Sequence, residues 1–332
     1  MERLFPKYLR HLPPETPFCY MCLDGLVFLD STAWLDELKA IFGATGAAHV
    51  SGPDQWTPSV LALRQGPRVI LSFEGTKGSL GWLPFFANAG LKEYGPPPGQ
   101  VFAPFATSAT ALEPLIKQAF LPGDVATFTG HSLGAAVASM LNSTFTRVGL
   151  NTLPAWCFGC PRYGDRAYFA SARGSTLVVN LPQDPIPLLP PDVVGYIHRQ
   201  PAALQWNQLL DSPPEKNFIF GWDRSAAPSK QLDYLVALAA ANIVPQESPH
   251  QTYQYLRSCW AGLPAPIPGD VQLLFQLCTR LGLLDPWPSS AGRALAEAWP
   301  ASWPPALFGG ALETPPGTVP FVSPLIPFKL ED

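Results

Sequence analysis

The sequence predicts an α/β fold, in which a mostly parallel central sheet is flanked by helices. β-rich runs alternate with segments of helical spacing through the middle of the chain, which is the pattern of parallel-sheet proteins. The β-rich run 124–130, for example, precedes the helical pattern of 135–148. With 332 residues, of which 47% are hydrophobic, the chain has enough apolar side chains to bury a large core.

The first predicted strands form a hairpin. Residues 59–63 and 68–73 are β-rich runs, and the Gly-Pro dipeptide between them is a turn signal. Residues 111–120 then show helical spacing of apolar side chains. We therefore expect an antiparallel pair of strands followed by a helix.

The second half of the chain continues the alternation. Strands are predicted at 154–160 and 175–181. Helical patterns follow at 230–244, 270–284 and 291–299. From about residue 262 the strand signals thin out and proline and tryptophan become frequent. We expect one main domain over 1–260 and a helical, proline-rich extension over 261–332 that packs on it.

Composition and charge exclude some classes of function. The net charge is -4, charged residues make up 14%, and no long lysine or arginine run is present, so no nucleic-acid surface is expected. The N-terminal residues lack the apolar segment of a secretory signal peptide, and no apolar run approaches the roughly 18 residues of a transmembrane helix. The compartment stays open between the cytoplasm and secretion after removal of a leader, and nothing predicts an oligomeric state.

Six cysteines leave one metal-site alternative open. The segments FCYMC and WCFGC hold C-x-x-C pairs, Cys19 with Cys22 and Cys157 with Cys160, and such pairs can ligate zinc. Neither pair has the glycine pattern of a zinc knuckle, and in an extended strand the second pair would point to opposite faces. Buried thiols are the favoured interpretation, and we expect no metal or other cofactor.

Residues 130–134 read GHSLG and match the G-x-S-x-G pattern of a nucleophile elbow. A β-rich run precedes them and a helical pattern follows, which is the context that such an elbow needs. The two glycines allow the backbone to turn sharply at Ser132. The amides at the start of the following helix can then stabilise a developing oxyanion. We expect Ser132 to be a nucleophile.

A serine nucleophile needs a base and an acid. In α/β-hydrolases the order along the chain is serine, acid, histidine, which leaves His198 and His250 among the five histidines. Asp184 comes directly after the predicted strand 175–181, where functional residues of α/β sheets collect. An aspartate before a proline is otherwise a common turn residue.

Four motifs in order resemble the class 3 lipases, the α/β-hydrolases typified by filamentous-fungal triacylglycerol lipases. They are SFEGT, FTGHSLGAAVASML, FGCPRYGDRAY and VNLPQDPIPLLPPDVVGYIH, and the resemblance covers roughly residues 58–257. It implies an α/β-hydrolase fold with 1–260 as the catalytic domain. Ser132 would be the nucleophile, Asp184 the triad acid and His250 the base, with His198 structural.

The resemblance also implies an oxyanion hole and a lid. The backbone amides of Thr76 and Leu133 would hold the oxyanion, and residues 77–92 look like the lid. The lid carries an apolar patch that would bind substrate and contact lipid surfaces, made of Trp82, Leu83, Phe85 and Phe86. The alternative for this segment is a buried helix. We expect His131 to order the elbow and to be one of the residues that bind the substrate.

Two positions depart from the family pattern. Glu74 stands where the family has arginine, and Phe102 where it has histidine. The resemblance implies a serine carboxylic-ester hydrolase, first of all a lipase for acylglycerols or similar lipid esters. The alternatives are phospholipase A1, a short-chain, feruloyl-type or polyester esterase, an acyltransferase, and a lipid-binding protein that kept the fold without the activity.

Overall fold

A 7-stranded sheet forms the centre of the computed structural model. The structure describes residues 17–29, 32–52, 57–76, 91–94, 99–181, 184, 186–188, 197, 250, 252–261, 263 and 267–284. The strands in chain order are β1 (Gly46–Val50), β2 (Val60–Gln65), β3 (Arg68–Phe73), β4 (Leu91–Glu93), β5 (Gln100–Phe102), β6 (Val125–His131), β7 (Asn151–Thr152), β8 (Ala155–Phe158) and β9 (Thr176–Val179). Strands β4 and β5 form a separate two-stranded sheet.

The main sheet has the order β1-β2-β3-β6-β8-β9, with β7 paired to β6. β1, β2 and β3 are antiparallel, whereas β3, β6, β8 and β9 are parallel to one another. The predicted hairpin is confirmed, because β2 and β3 pair through a turn at Gly66, whose φ is 56°. The parallel strands end at a common edge, and the segments that leave this edge carry the candidate site.

Helices cover both faces of the sheet. They are α1 (Pro17–Leu26), α2 (Leu35–Phe42), α3 (Ala103–Ala119), α4 (Leu133–Arg147), α5 (Arg166–Ser171), α6 (Thr252–Ala261) and α7 (Gly269–Arg280), and Ile186–Leu188 is a short 3-10 helix. The predicted α/β architecture with a mostly parallel sheet is confirmed. No helix in the described ranges has the length and apolar character needed to cross a lipid bilayer.

Two apolar layers pack against the two faces of the sheet. In the first core layer, α3 and α4 pack on side chains such as Leu71 of β3 and Phe128 of β6. In the second core layer, α1, α2, α6 and α7 pack on the opposite face, against side chains such as Ile70 of β3. Neighbouring residues of β3 thus belong to different layers, as the alternation of side chains along a strand requires.

Several predicted elements match the structure closely. The strands expected at 154–160 and 175–181 are β8 and β9, and the helix expected at 270–284 is α7. The helix expected at 111–120 is the second half of α3, which begins at Ala103 with a proline in its first turn. The helical patterns of 230–244 and 291–299 lie outside the described residues. The division near residue 261 stays a prediction, although α7 packs with α1 and α2.

The N-terminal helix α1 was not predicted, because all ten of its residues are buried. A helix that is apolar and buried all round lacks the polar face that reveals helical spacing. All six cysteines are reduced thiols and are buried. The expectation that Cys157 and Cys160 point apart is wrong, because the strand ends at Phe158 and both thiols lie in the first core layer. No cluster of three or more potential metal ligands occurs among the residues described.

Candidate active site

Ser132 lies in the turn between β6 and α4 with a strained backbone. Its φ is 59° and its ψ is -123°, and it is the one non-glycine residue of the described ranges with positive φ. Such a conformation costs on the order of 1–3 kcal/mol and persists where the surroundings enforce it. The amide of Ser132 donates to the carbonyl of Phe158 at 2.9 Å, and Ala135 N–H donates to the Ser132 carbonyl at 3.0 Å. The turn is therefore held from both sides.

The glycines that flank this turn allow its close packing. A Cβ atom on Gly130 would lie 2.3 Å from the carbonyl carbon of Gly134. A Cβ atom on Gly134 would lie 2.1 Å from the backbone oxygen of Phe73, at the end of β3. Neither contact can be relieved by rotating a side chain, so the elbow needs glycine at both positions.

Asp184 and His250 form a buried pair. Asp184 Oδ2 lies 2.7 Å from His250 Nδ1, and the two side chains are 0% and 5% exposed. The other carboxylate oxygen accepts the amide hydrogen of Ile186 at 2.9 Å, which fixes the orientation of the carboxylate. Nδ1 therefore carries the hydrogen that faces Asp184, and Nε2 is the ring nitrogen available to a serine hydroxyl. His198, the other histidine considered as base, lies outside the described residues.

Gly159 locates this pair next to the elbow. It follows β8, whose last residue accepts the amide hydrogen of Ser132. A Cβ atom on Gly159 would lie 2.9 Å from Asp184 Oδ2, 3.0 Å from the hydroxyl oxygen of Tyr255 and 3.1 Å from His250 Cε1. The absence of a side chain here makes room for the acid and the histidine. Sequence reasoning missed this position, although it lies in the quoted motif FGCPRYGDRAY.

Tyr255 is the second residue that sequence reasoning missed. Its hydroxyl donates to Asp184 Oδ2 at 2.5 Å and accepts the amide hydrogen of Leu181 at 3.1 Å. Burial, and secondly the charge of Asp184, raise the pKa of Tyr255 well above its usual value, so the phenol keeps its proton. Asp184 Oδ2 thus accepts from both Tyr255 and His250. The signal in the sequence was the run of aromatic residues that follows His250.

His131 forms one wall of the histidine site. Its ring stacks on that of His250 with a centroid distance of 4.6 Å and meets Tyr255 edge-on at 5.1 Å. Burial lowers the pKa of His131 well below its usual value, and the neighbouring His250 lowers it further. A neutral imidazole here adds no positive charge beside His250. Contact between His131 and a substrate stays a prediction.

The candidate oxyanion donors lie on the two segments that meet at the elbow. Leu133 is the first residue of α4, where backbone amides lack an acceptor within the helix. A Cβ atom on Gly75 would lie 3.5 Å from Ser132 Cβ, so the segment that leads to Thr76 passes directly beside the serine. The residues predicted to form an apolar lid, Trp82, Leu83, Phe85 and Phe86, lie outside the described residues.

Both departures from the family pattern are buried. Glu74 is 2% exposed, and its Oε2 accepts the amide hydrogen of Ser59 at 3.0 Å while its own amide donates to the Ser59 carbonyl. It therefore joins the end of β3 to the start of β2. Phe102 is fully buried and packs against Phe105 at 5.0 Å between ring centroids. Each departure has a structural role in the described part of the chain.

The family described as lipase (class 3) matches residues 70–194. This stretch of the chain is similar to the class 3 lipases, and it makes up less than half of the chain. The matched segment contains Thr76, Ser132, Leu133 and Asp184, whereas His250 and Tyr255 follow it in the chain.

Curated relatives are fungal secreted lipases. Secreted mono- and diacylglycerol lipase A of Penicillium cyclopium is 34% identical over 74 residues, which are 22% of this chain and 24% of the relative. Secreted mono- and diacylglycerol lipase 1 of Fusarium solani is 38% identical over 77 residues, 22% of each chain. The chain thus matches less than a quarter of the length of these relatives.

Solved structures of fungal lipases are similar over a longer part of the chain. The mono- and diacylglycerol lipase of Aspergillus oryzae covers 55% of this chain, with 76% of its own chain covered, 16% identity and a TM-score of 0.47. The lipase of Rhizopus microsporus var. chinensis covers 58%, with 78% of its own chain covered, 19% identity and a TM-score of 0.45.

Proposed function

We propose that this protein is a serine hydrolase of lipid carboxylic esters. The observation that carries the proposal is the buried pair of Asp184 and His250, 2.7 Å apart between Oδ2 and Nδ1, beside the strained turn at Ser132. A serine, a histidine oriented by a buried carboxylate, and helix amides next to the serine are the parts that acyl transfer requires.

The reaction follows from the direction of the hydrogen bonds. His250 Nε2 takes the proton of Ser132 Oγ as this oxygen attacks the ester carbonyl carbon. Asp184 stabilises the imidazolium that forms, and the imidazolium then gives its proton to the leaving alcohol. Water attacks the acyl-enzyme in the same way, releasing the carboxylic acid and restoring the serine hydroxyl.

The carbonyl oxygen of the substrate becomes negative during each attack. We assign the amides of Leu133 and Thr76 to hold this oxyanion. Leu133 begins α4, directly after the serine, and Thr76 lies three residues after the end of β3. Loss of a single donor of this kind costs roughly 10²–10³ in kcat in comparable hydrolases. The amide of Leu133 also has the positive end of the helix dipole behind it.

For the substrate we propose acylglycerols. The support is the name of the Penicillium and Fusarium relatives, which are mono- and diacylglycerol lipases. The apolar sequence of the proposed lid, residues 77–92, fits an acyl chain and contact with a lipid surface. The substrate test also distinguishes three other functions: phospholipase A1, a short-chain or feruloyl-type esterase, and a binding protein without turnover.

The test is hydrolysis of p-nitrophenyl esters of increasing chain length, followed by monoacylglycerol, diacylglycerol and phosphatidylcholine. Ser132→Ala and His250→Ala are expected to lower kcat by about 10⁴–10⁶. His198→Ala is the matched control and is expected to stay within about threefold of the wild type. An inactive His198→Ala with an active His250→Ala would overturn the base assignment. Wild-type turnover in the Ser132 and His250 variants would overturn the hydrolase proposal.

A further inference from the structure

A buried carboxyl group lies beneath the candidate site without a part in the proposed chemistry. Asp24, on α1, is 0% exposed and belongs to the face of the sheet that the second core layer covers. Ser72 Oγ donates to Asp24 Oδ1 at 2.6 Å, and Thr129 Oγ1 donates to Asp24 Oδ2 at 3.0 Å. One carboxyl group therefore holds one residue of β3 and one residue of β6.

The two residues held by Asp24 are direct partners in the sheet. Ser72 pairs with Thr129 in the parallel ladder of β3 and β6, and the next pair, Phe73 with Gly130, is the last of the ladder. After the ladder the chain continues from β3 to Thr76, and from β6 to Ser132. Asp24 thus binds the two strands at the end of their pairing, just before the proposed oxyanion donor and nucleophile.

Burying a carboxyl group at this position lowers the free energy of unfolding. The ion pairs found among the described residues do not include Asp24, and the neighbouring residues of α1 are apolar. Burial raises the pKa of Asp24 well above its usual value, and the hydrogen bonds from Ser72 and Thr129 only partly oppose this effect. An apolar side chain would avoid this penalty, so stability alone does not account for an acid here.

We propose that Asp24 is a positioning residue. It keeps the segment from β3 to Thr76, which carries one proposed oxyanion donor, at a fixed separation from the nucleophile elbow around Ser132. The proposal rests on the proposed ester hydrolysis. Its reason is geometric, because the oxyanion is bound only if amides from both segments reach the same oxygen atom. A mutation far from the reacting atoms that misplaces the reacting groups by about 1 Å can lower the rate roughly 10²-fold. α1 thereby contributes to the reaction without touching the substrate.

The experiment compares Asp24→Leu, which removes both hydrogen bonds, with Asp24→Asn, which keeps an oxygen for Ser72 and offers an amide to Thr129. Asp24→Leu is expected to lower kcat at least tenfold with KM within about twofold. Asp24→Asn is expected to stay within about threefold of the wild type. Ser143→Ala, which removes a partly buried acceptor of the Arg173 amide hydrogen, is the control for general loss of stability and should keep its kcat.

A second readout separates positioning from structural support. A boronic acid inhibitor, which forms a tetrahedral adduct with a catalytic serine, should bind Asp24→Leu more weakly by the same factor as kcat/KM falls. If Asp24→Leu is less stable but keeps wild-type kcat and inhibitor affinity, the proposal is wrong.

Two further variants decide the question if Asp24→Leu does not fold. Ser72→Ala and Thr129→Val each remove one of the two hydrogen bonds, and each is expected to lower kcat about threefold or more with unchanged KM. Wild-type kcat in both would overturn the proposal. Failure of the hydrolase proposal is separate, since it would appear as absent ester hydrolysis in the wild type or full activity in Ser132→Ala.

Discussion

The hydroxyl of Tyr255 donates to Oδ2 of Asp184 at 2.5 Å, the same oxygen that lies 2.7 Å from the histidine ring. The phenol therefore fixes the carboxylate from the side opposite Ile186, whose amide holds Oδ1. Donors on both oxygens hold the carboxylate more rigidly than the hydrogen bond to His250 alone would.

Replacement of this phenol tests how much the carboxylate depends on it. Tyr255→Phe removes a donor from Asp184 and an acceptor from the Leu181 amide. We expect kcat to fall about tenfold and the free energy of unfolding to fall by about 1–3 kcal/mol, because the amide of Leu181 stays buried without its acceptor. Ester hydrolysis and urea denaturation measure the two effects. Tyr253→Phe, on the same helix, is the control, and an equal loss of kcat in both variants would contradict the assignment.

Gly159→Ala tests the space beside the acid and the histidine. The added methyl group would lie about 3 Å or less from Asp184 Oδ2 and close to His250 Cε1. We expect kcat to fall on the order of 10²-fold, because the pair must move away from Ser132. Gly66→Ala is a matched control, since Gly66 has φ 56° against 54° for Gly159 but nothing within 4 Å of its Cβ position.

The two glycine variants share the cost of an alanine at positive φ, so both should lose stability by a similar amount. Only Gly159→Ala should lose activity. Equal kcat in the two variants would mean that Gly159 serves the backbone alone.

Stability should depend on pH through His131. Its folded pKa is far below the unfolded value of about 6.5, so below that pH the unfolded chain binds a proton that the folded chain does not. The free energy of unfolding therefore falls as the pH falls below about 6.5, by up to roughly 1.4 kcal/mol per pH unit from this one group.

The measurement is the difference in unfolding free energy between the wild type and His131→Gln from about pH 5 to about pH 8. Because the glutamine that replaces His131 does not titrate, the wild-type advantage should shrink towards low pH. The difference cancels the contributions of groups that do not contact His131, such as Asp24, whose raised pKa gives the opposite slope. A constant difference over this range would mean that His131 titrates normally in the folded protein.

The sequence allowed the local parts of the site to be predicted, and the reason is physical. The elbow around Ser132 is a short-range pattern of glycines between a strand and a helix, and Asp184 follows the end of a strand. These features depend on neighbouring residues only. The parallel order of β3, β6 and β8 also follows from alternating strands and helices, because parallel strands need crossover connections.

The contacts that support these residues come from distant parts of the chain. Tyr255 reaches Asp184 across 71 residues and Asp24 reaches Thr129 across 105, and the residues around each one in the chain do not indicate its partner. The helix α1, which carries Asp24, has no exposed face and so no amphipathic signal. Gly159 lay within a quoted motif, but its proximity to His250 depends on how β8 meets the segment around residue 250.

The assignment of Ser132 as the nucleophile is tested most directly by reaction with a fluorophosphonate, which modifies activated serine hydroxyls. Peptide mass spectrometry then identifies the labelled residue. We expect one label on Ser132, loss of ester hydrolysis in proportion to labelling, and no label in Ser132→Ala. His250→Ala should react much more slowly, because the base that activates the hydroxyl is gone. Labelling at another residue, with hydrolysis retained in Ser132→Ala, would contradict the assignment of Ser132 as the nucleophile.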